Sequence, residues 1–137
     1  MKVFKFGGAS LKNAQGVKNV ASIITQSANN NLLVVVSAMG KTTNALEKIW
    51  ELSVKGLSFE NEMQTLHAYH HSILHDLFPA GHAVYSEVET LFVNLKVTLL
   101  QHPDADLLYD QSVSAGELIS SVIVANYLRS NHPCQWL

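Results

Sequence analysis

Apolar positions change their spacing along this chain, and the change separates two kinds of element. Lys2 to Phe6 is short, aromatic and β-branched, and stops at Gly7-Gly8, which predicts a strand. Leu32 to Val36 is continuously apolar, opened by Asn29-Asn30-Asn31 and closed by Ser37-Ala38-Met39-Gly40. A continuous run rather than an alternating one predicts a parallel strand covered on both faces. Elsewhere the spacing is helical. Val17, Val20, Ala21 and Ile24 predict a helix from about Asn13 to Ser27, and Leu46, Ile49, Trp50 and Val54 one from about Thr43 to Lys55, stopped by Gly56. Met63, Leu66, His70, Ile73, Leu74 and Leu77 stripe a third helix, ended by Pro79 and Gly81. Val84, Val88, Leu91, Phe92, Leu95 and Leu99 stripe a fourth, ended before Pro103. A last helix is expected from about Ser114 to Ser130, burying Leu118, Val122, Ile123 and Leu128, and Cys134 to Leu137 reads as the start of a third strand.

The order strand, helix, strand, four helices, strand indicates an α/β layered fold with a mainly parallel sheet. The two helices between Gly56 and Pro103 have the shape of a helical hairpin inserted over one edge. Three short strands beside five helices make an under-built sheet, so the 137 residues are expected to be part of something longer.

Composition narrows the class. Hydrophobic residues are 47% of the chain and charged residues 15%, enough apolar material for a core. Lys+Arg 9 against Asp+Glu 11 gives a net charge of -2, so no broad cationic field exists to hold a nucleic acid or an anionic membrane. The longest apolar run, Leu32 to Val36, is far short of the about 20 residues that span a bilayer. The N-terminus has no apolar stretch of the signal-peptide kind, so a cytoplasmic protein is expected. The single cysteine, Cys134, has no internal disulfide partner and reads as a small buried hydrophobe.

Three segments carry candidate chemistry. In Lys5-Phe6-Gly7-Gly8-Ala9-Ser10 a strand runs into a glycine pair and then a helix. Such a turn lets backbone N–H groups approach an anion, the helix N-terminus favours negative charge, and Lys5 can reach the same anion as a point charge. A plain strand–turn–helix with a surface lysine explains the same residues. In Ser37-Ala38-Met39-Gly40-Lys41-Thr42-Thr43-Asn44, the Gly-Lys-Thr run is not a P-loop, because that pattern requires glycine where Val35 stands. What remains is a loop with three hydroxyls (Ser37, Thr42, Thr43) at the carboxyl edge of the sheet, where open α/β sheets bind ligands. The simpler reading makes Thr42 or Thr43 an ordinary helix N-cap. Ser114-Ala115-Gly116-Glu117 places a carboxylate in what reads as the first turn of the last helix. There the helix dipole alone would favour it, or it could accept hydrogen bonds from a substrate amine. His67, His71 and His75 repeat on one helix face, but with no His-Glu-x-x-His pattern or cysteine ligand no metal is assigned to them. His70 falls on the apolar stripe and reads as a packed histidine.

Together the three segments resemble the aspartate kinases of the amino acid kinase superfamily. Lys5-Phe6-Gly7-Gly8-Ala9-Ser10 is similar to that family's Lys-Phe-Gly-Gly-Thr-Ser. Ser37 to Asn44 after Leu33-Val34-Val35-Val36 resembles its Ser-Ala…Thr-Asn motif. Val113-Ser114-Ala115-Gly116-Glu117 resembles its Gly-Glu segment, and Gln135-Trp136-Leu137 the strand that follows. The resemblance spans the chain in order. It implies an αβα sandwich of the amino acid kinase type, truncated here. Residues 1–137 would be the N-terminal portion of a catalytic domain, without the nucleotide-binding half or the regulatory ACT domains. It implies transfer of the ATP γ-phosphoryl group, with Mg²⁺, to the β-carboxylate of L-aspartate, the first step toward lysine, threonine and methionine, by a homo-oligomeric parent enzyme. Carried over residue by residue, Lys5, Gly7, Gly8 and Ser10 would hold the phosphates, with Lys5 catalytic, and Ser37, Ala38, Thr43 and Glu117 would handle aspartate. Ala9 stands where the family usually has threonine, so one hydroxyl of the first loop is missing.

Two rival readings stand beside it. One is another amino acid kinase, of the glutamate or carbamate type. The other is a non-catalytic assembly piece offering Trp50, Phe59, Phe78 and Phe92 as contacts, although core packing explains these aromatics more simply.

Overall fold

A computed structural model describes residues 1–27, 31–101 and 104–137. The turn expected at Asn29-Asn30 and the helix-ending Pro103 lie outside those residues. Strand β1 (Lys2–Phe6) leads through a 3₁₀ turn at Gly8–Leu11 into α1 (Ala14–Ser27), then β2 (Leu32–Val36). Four helices follow: α2 (Thr42–Val54), α3 (Glu60–Leu77), α4 (Ala83–Gln101) and α5 (Ala105–Arg129). β1 and β2 pair in parallel, with Lys2 opposite Leu32 and Phe6 opposite Val36. Parallel pairing sends both strands out at one edge of the sheet, and each runs directly into a glycine-containing turn.

The helices gather on one face of this ribbon. Phe6, Leu32, Val34 and Val36 pack against a core that includes Val17, Ile24, Leu46, Leu74, Phe92 and Ile123. The alternate positions face away, with Val3 60%, Leu33 36% and Val35 42% exposed. The continuous apolar run of β2 therefore does not mean cover on both sides among the described residues. The α/β class, the parallel sheet and the α3–α4 hairpin are as the sequence predicts. Phe59, Phe78 and Phe92 are buried, and Trp50 donates to Ala105 O and meets the edge of Tyr109, so these aromatics serve packing.

Three expectations are corrected. α5 begins at Ala105 rather than near Ser114, because Asp104 caps it: its carboxylate accepts from the N–H groups of Asp106 (2.9 Å) and Leu107 (3.1 Å). The early turns escape a hydrophobic count because their inward stripe is Leu108, Ser112 and Ala115, with a serine in the middle. The same stripe buries Ile119 and leaves Leu118 44% exposed, not buried. Residues 134–137 form no strand. Their polar groups bond to α5 instead: Arg129 Nε donates to Cys134 O (3.2 Å) and Trp136 Nε1 donates to Ser121 Oγ (2.8 Å). No helix among the described residues is long and apolar enough to cross a membrane.

Candidate functional site

The two turns leaving the sheet are built against each other. Ser37 N–H donates to Phe6 O (2.9 Å), extending the strand pairing by one bond beyond Val36. Gly40 N–H donates to Gly8 O, also at 2.9 Å. A Cβ on Gly8 would lie 2.6 Å from Ala38 O and 2.9 Å from Gly40 O, so only glycine allows this approach. Gly7 is the reverse case, with nothing within 4 Å of its Cβ position, so its surface is open to a ligand. The glycine pair thus divides its work: Gly8 joins the loops and Gly7 faces the opening.

The anion-favouring helix end is not where the sequence placed it. After Gly7-Gly8 comes the short 3₁₀ turn, closed by Ser10 N–H to Gly7 O (3.1 Å), and α1 starts only at Ala14. Asn13 already caps α1, its Oδ1 accepting from Gly16 N–H at 2.8 Å. The uncapped end belongs to α2. A helix's first turn has N–H groups with no intrahelical acceptor. Here Thr42 N–H turns to Met39 O (3.0 Å), no side chain caps the turn, and it contains no acidic residue. Neither threonine is the N-cap. Thr42 is buried and its hydroxyl donates back to Met39 O (2.6 Å), while Thr43 is exposed at the open helix end. That end carries the partial positive charge that draws a carboxylate or phosphate.

α5 closes the site from the side. Gly116 lies inside the helix, where a Cβ would sit 2.9 Å from Ala38 Cβ and 3.0 Å from both Leu46 Cδ1 and Thr42 Cγ2. Glycine there lets α5 reach the second loop. One turn on, buried Ser120 donates its Oγ–H to Ser37 O at 2.6 Å. Glu117 follows Gly116 and precedes Ser120 by three residues, which puts it on the same side of the helix as the bond to Ser37. It is exposed, and it sits in mid-helix rather than in the first turn, so the dipole that would have explained it as decoration is absent.

The structure therefore joins Gly8, Ser37, Ala38 and Gly116 by contact and sets Thr43 and Glu117 beside them. Lys5 is exposed on the outward face of β1, opposite Val35, and makes no ion pair among the described residues. Ser10 is exposed on the 3₁₀ turn. Two positioning residues escape a reading by motif. Ser120 is a buried serine in an apolar stripe, and its spacing of three from Glu117 was the available signal. Tyr69 of α3 donates its hydroxyl to Lys12 O, and a Cβ on Gly40, whose φ is +54°, would strike that hydroxyl. Burial pushes the Tyr69 phenol above its usual range, so it stays a donor.

The donor set suits a nucleotide phosphate or a carboxylate rather than a metal ion. Glu117 is the one carboxylate among these residues, and no group of three or more His, Cys, Asp or Glu among the described residues is placed to hold a cation. The expected Mg²⁺ would be held mainly by the nucleotide phosphates and water rather than by a protein cage here. In the histidine array, His67 donates to Glu89 Oε2 (2.6 Å) across the hairpin, and His70 is fully buried.

Residues 1–135 match the model of the amino acid kinase family. The chain is 31% identical over 130 residues to aspartokinase 2, chloroplastic, of Arabidopsis thaliana, covering 92% of this chain and 24% of that protein. It is 31% identical over 144 residues to the bifunctional aspartokinase/homoserine dehydrogenase 2 of Escherichia coli, covering 99% of this chain and 17% of that protein. Its fold superposes on E. coli aspartokinase III in complex with aspartate and ADP with a TM-score of 0.78 at 30% identity, over 94% of this chain and 29% of that one. The chain thus spans about a quarter of the length of the aspartokinase 2 it matches.

Proposed function

The chain belongs to the amino acid kinase family, and from that premise we propose that it carries the aspartate side and part of the phosphate cradle of an aspartokinase. The reaction is transfer of the ATP γ-phosphoryl group to the β-carboxylate of L-aspartate, giving 4-phospho-L-aspartate. The observation that carries this reading is the bonded contact of the two loops, Gly40 N–H to Gly8 O, beside the uncapped end of α2. Phosphoryl transfer asks for positioning and for neutralisation of spread negative charge more than for covalent chemistry. Gly7 offers the phosphates open backbone, Gly8 holds that turn against the second loop, Ser10 lies nearby, and the Lys5 ammonium supplies charge as the phosphoryl group moves. The α2 N-terminus and the Thr43 hydroxyl receive a carboxylate of aspartate. Ser37 and Ala38 form the floor, and Glu117 accepts hydrogen bonds from the α-ammonium group. Ala9 removes a hydroxyl, but the neighbouring donors are backbone groups, so its effect is modest.

Residues 1–137 are proposed as the N-terminal portion of the catalytic domain, acting within a homo-oligomeric cytoplasmic enzyme. Alone they are expected to give little or no turnover. Calorimetric titration of the chain tests the substrate. L-aspartate should bind in preference to L-glutamate, and Glu117→Gln should weaken it about tenfold or more, the scale of losing a charge-assisted hydrogen bond. Preference for glutamate would favour the rival kinase reading, and binding indifferent to Glu117 would remove that residue from the site. Hydroxylamine trapping of aspartyl phosphate tests turnover; robust product from the 137 residues would overturn the expected inactivity.

A further inference from the structure

Behind the second loop, on the side bounded by α2 and α3, lies a separate cavity of about 660 Å³. That is within the usual range for small-molecule sites, roughly 300–1,000 Å³. It adjoins the aspartate site through Lys41 and Thr42 at the α2 N-terminus, but none of the side chains assigned above to phosphate or aspartate lines it. Its floor is apolar, made by Ala45, buried Leu66 and the Tyr69 ring, while Lys12, Lys41 and Lys48 stand around it. These are three of the nine Lys and Arg in a chain whose net charge is -2, and Glu62 is the single carboxylate in the same lining. None of the three is in a salt bridge among the described residues, so their charge is not spent within the fold.

We propose that this cavity binds a small organic anion with two or more negative charges on an apolar body. Three lysines in the lining of an apolar floor select charge at the rim and hydrocarbon below. Lysine is a compact point charge without the planar fork of arginine, so the site reads charge rather than carboxylate geometry, which favours phosphate esters. The occupant would also touch the elements that set the second loop. Tyr69 holds Lys12 O and abuts Gly40, and Lys41 opens α2. Occupancy therefore braces the second loop from behind.

Phenyl phosphate is the probe, followed by amide chemical shifts of the isotopically labelled chain. Saturable shifts should appear at Lys12, Lys41 and Leu66 and extend to Gly40. Inorganic phosphate (charge alone) and benzyl alcohol (body alone) should each bind at least about tenfold more weakly. Lys12→Gln, Lys41→Gln and Lys48→Gln combined should abolish the shifts, Lys48→Gln alone should weaken them, and Lys55→Gln on the far end of α2 should leave them unchanged. Absence of saturable shifts, persistence in the triple variant with its circular dichroism unchanged, or inorganic phosphate binding as tightly as the ester would each overturn the proposal. L-aspartate binding is measured separately, so failure here leaves the aspartate reading standing.

Discussion

Gly116→Ala tests whether the approach of α5 to the second loop is a tight fit. The added methyl would lie 2.9 Å from Ala38 Cβ and 3.0 Å from Leu46 Cδ1 and Thr42 Cγ2, where ordinary contact begins at 3.4 Å. Relief requires α5 to retreat by about half an ångström, since Ala38 is part of a backbone-bonded loop and Leu46 is fully buried. Overpacking of this kind costs about 1–3 kcal/mol. Alanine in a helix interior returns about 1 kcal/mol relative to glycine. The retreat also stretches the 2.6 Å bond from Ser120 Oγ to Ser37 O. Losing it removes about 1 kcal/mol more. The net expectation is destabilisation of about 1–3 kcal/mol. In urea unfolding followed by far-ultraviolet circular dichroism, the midpoint should fall with the slope unchanged. Ala38→Gly in the same chain removes the closest contact, so the double variant should recover about 1 kcal/mol over additivity. A Gly116→Ala protein as stable as the wild type would show that helix propensity outweighs the contact and would refute the reasoning.

Three further expectations follow from the same geometry. Gly7→Ala should leave stability within about 0.5 kcal/mol, because its Cβ meets open space, whereas Gly8→Ala should cost about 3 kcal/mol by driving a methyl into two carbonyl oxygens; urea midpoints separate them. Burial holds the His70 imidazole below its usual 6.5, with a smaller push from the His67 charge, so it is neutral in the fold. The unfolded chain takes up that proton near 6.5, and stability is therefore lost as pH falls from 6.5 toward the lower folded value. His70→Leu should flatten that slope relative to wild type, and an unchanged slope would mean that another group carries it. Under the proposed function, Lys5→Ala in a full-length aspartokinase carrying this segment should raise the barrier to turnover by about 2–4 kcal/mol, read from kcat. An unchanged rate removes Lys5 from phosphoryl stabilisation.

Most of the fold was legible in the sequence because its elements announce themselves by periodicity and punctuation. α3 ends before Pro79, and β2 ends where Ser37 begins the second loop. The errors share a cause. A run such as Leu32–Val36 reports hydrophobicity without saying how many faces are covered, and a helix turn lined by Ser112 looks polar although it is buried. The start of α5 was fixed by the Asp104 cap, which lies ahead of the apolar stripe. In the site, the motifs identified the loops but not their relation. That Gly8 packs on Ala38 and Gly40, that α2 rather than α1 offers the open N-terminus, and that Ser120 ties α5 to Ser37 all depend on tertiary contact.

The central claim is that two turns at one edge of the sheet form a single site for aspartate. Its most direct test is chemical-shift mapping with L-aspartate on the labelled chain. The account predicts that the largest saturable shifts fall on Ser37, Thr43 and Glu117, with Gly7 and Gly8 moving alongside them. Shifts confined to the α3–α4 hairpin, with those five amides unmoved at saturation, would contradict it.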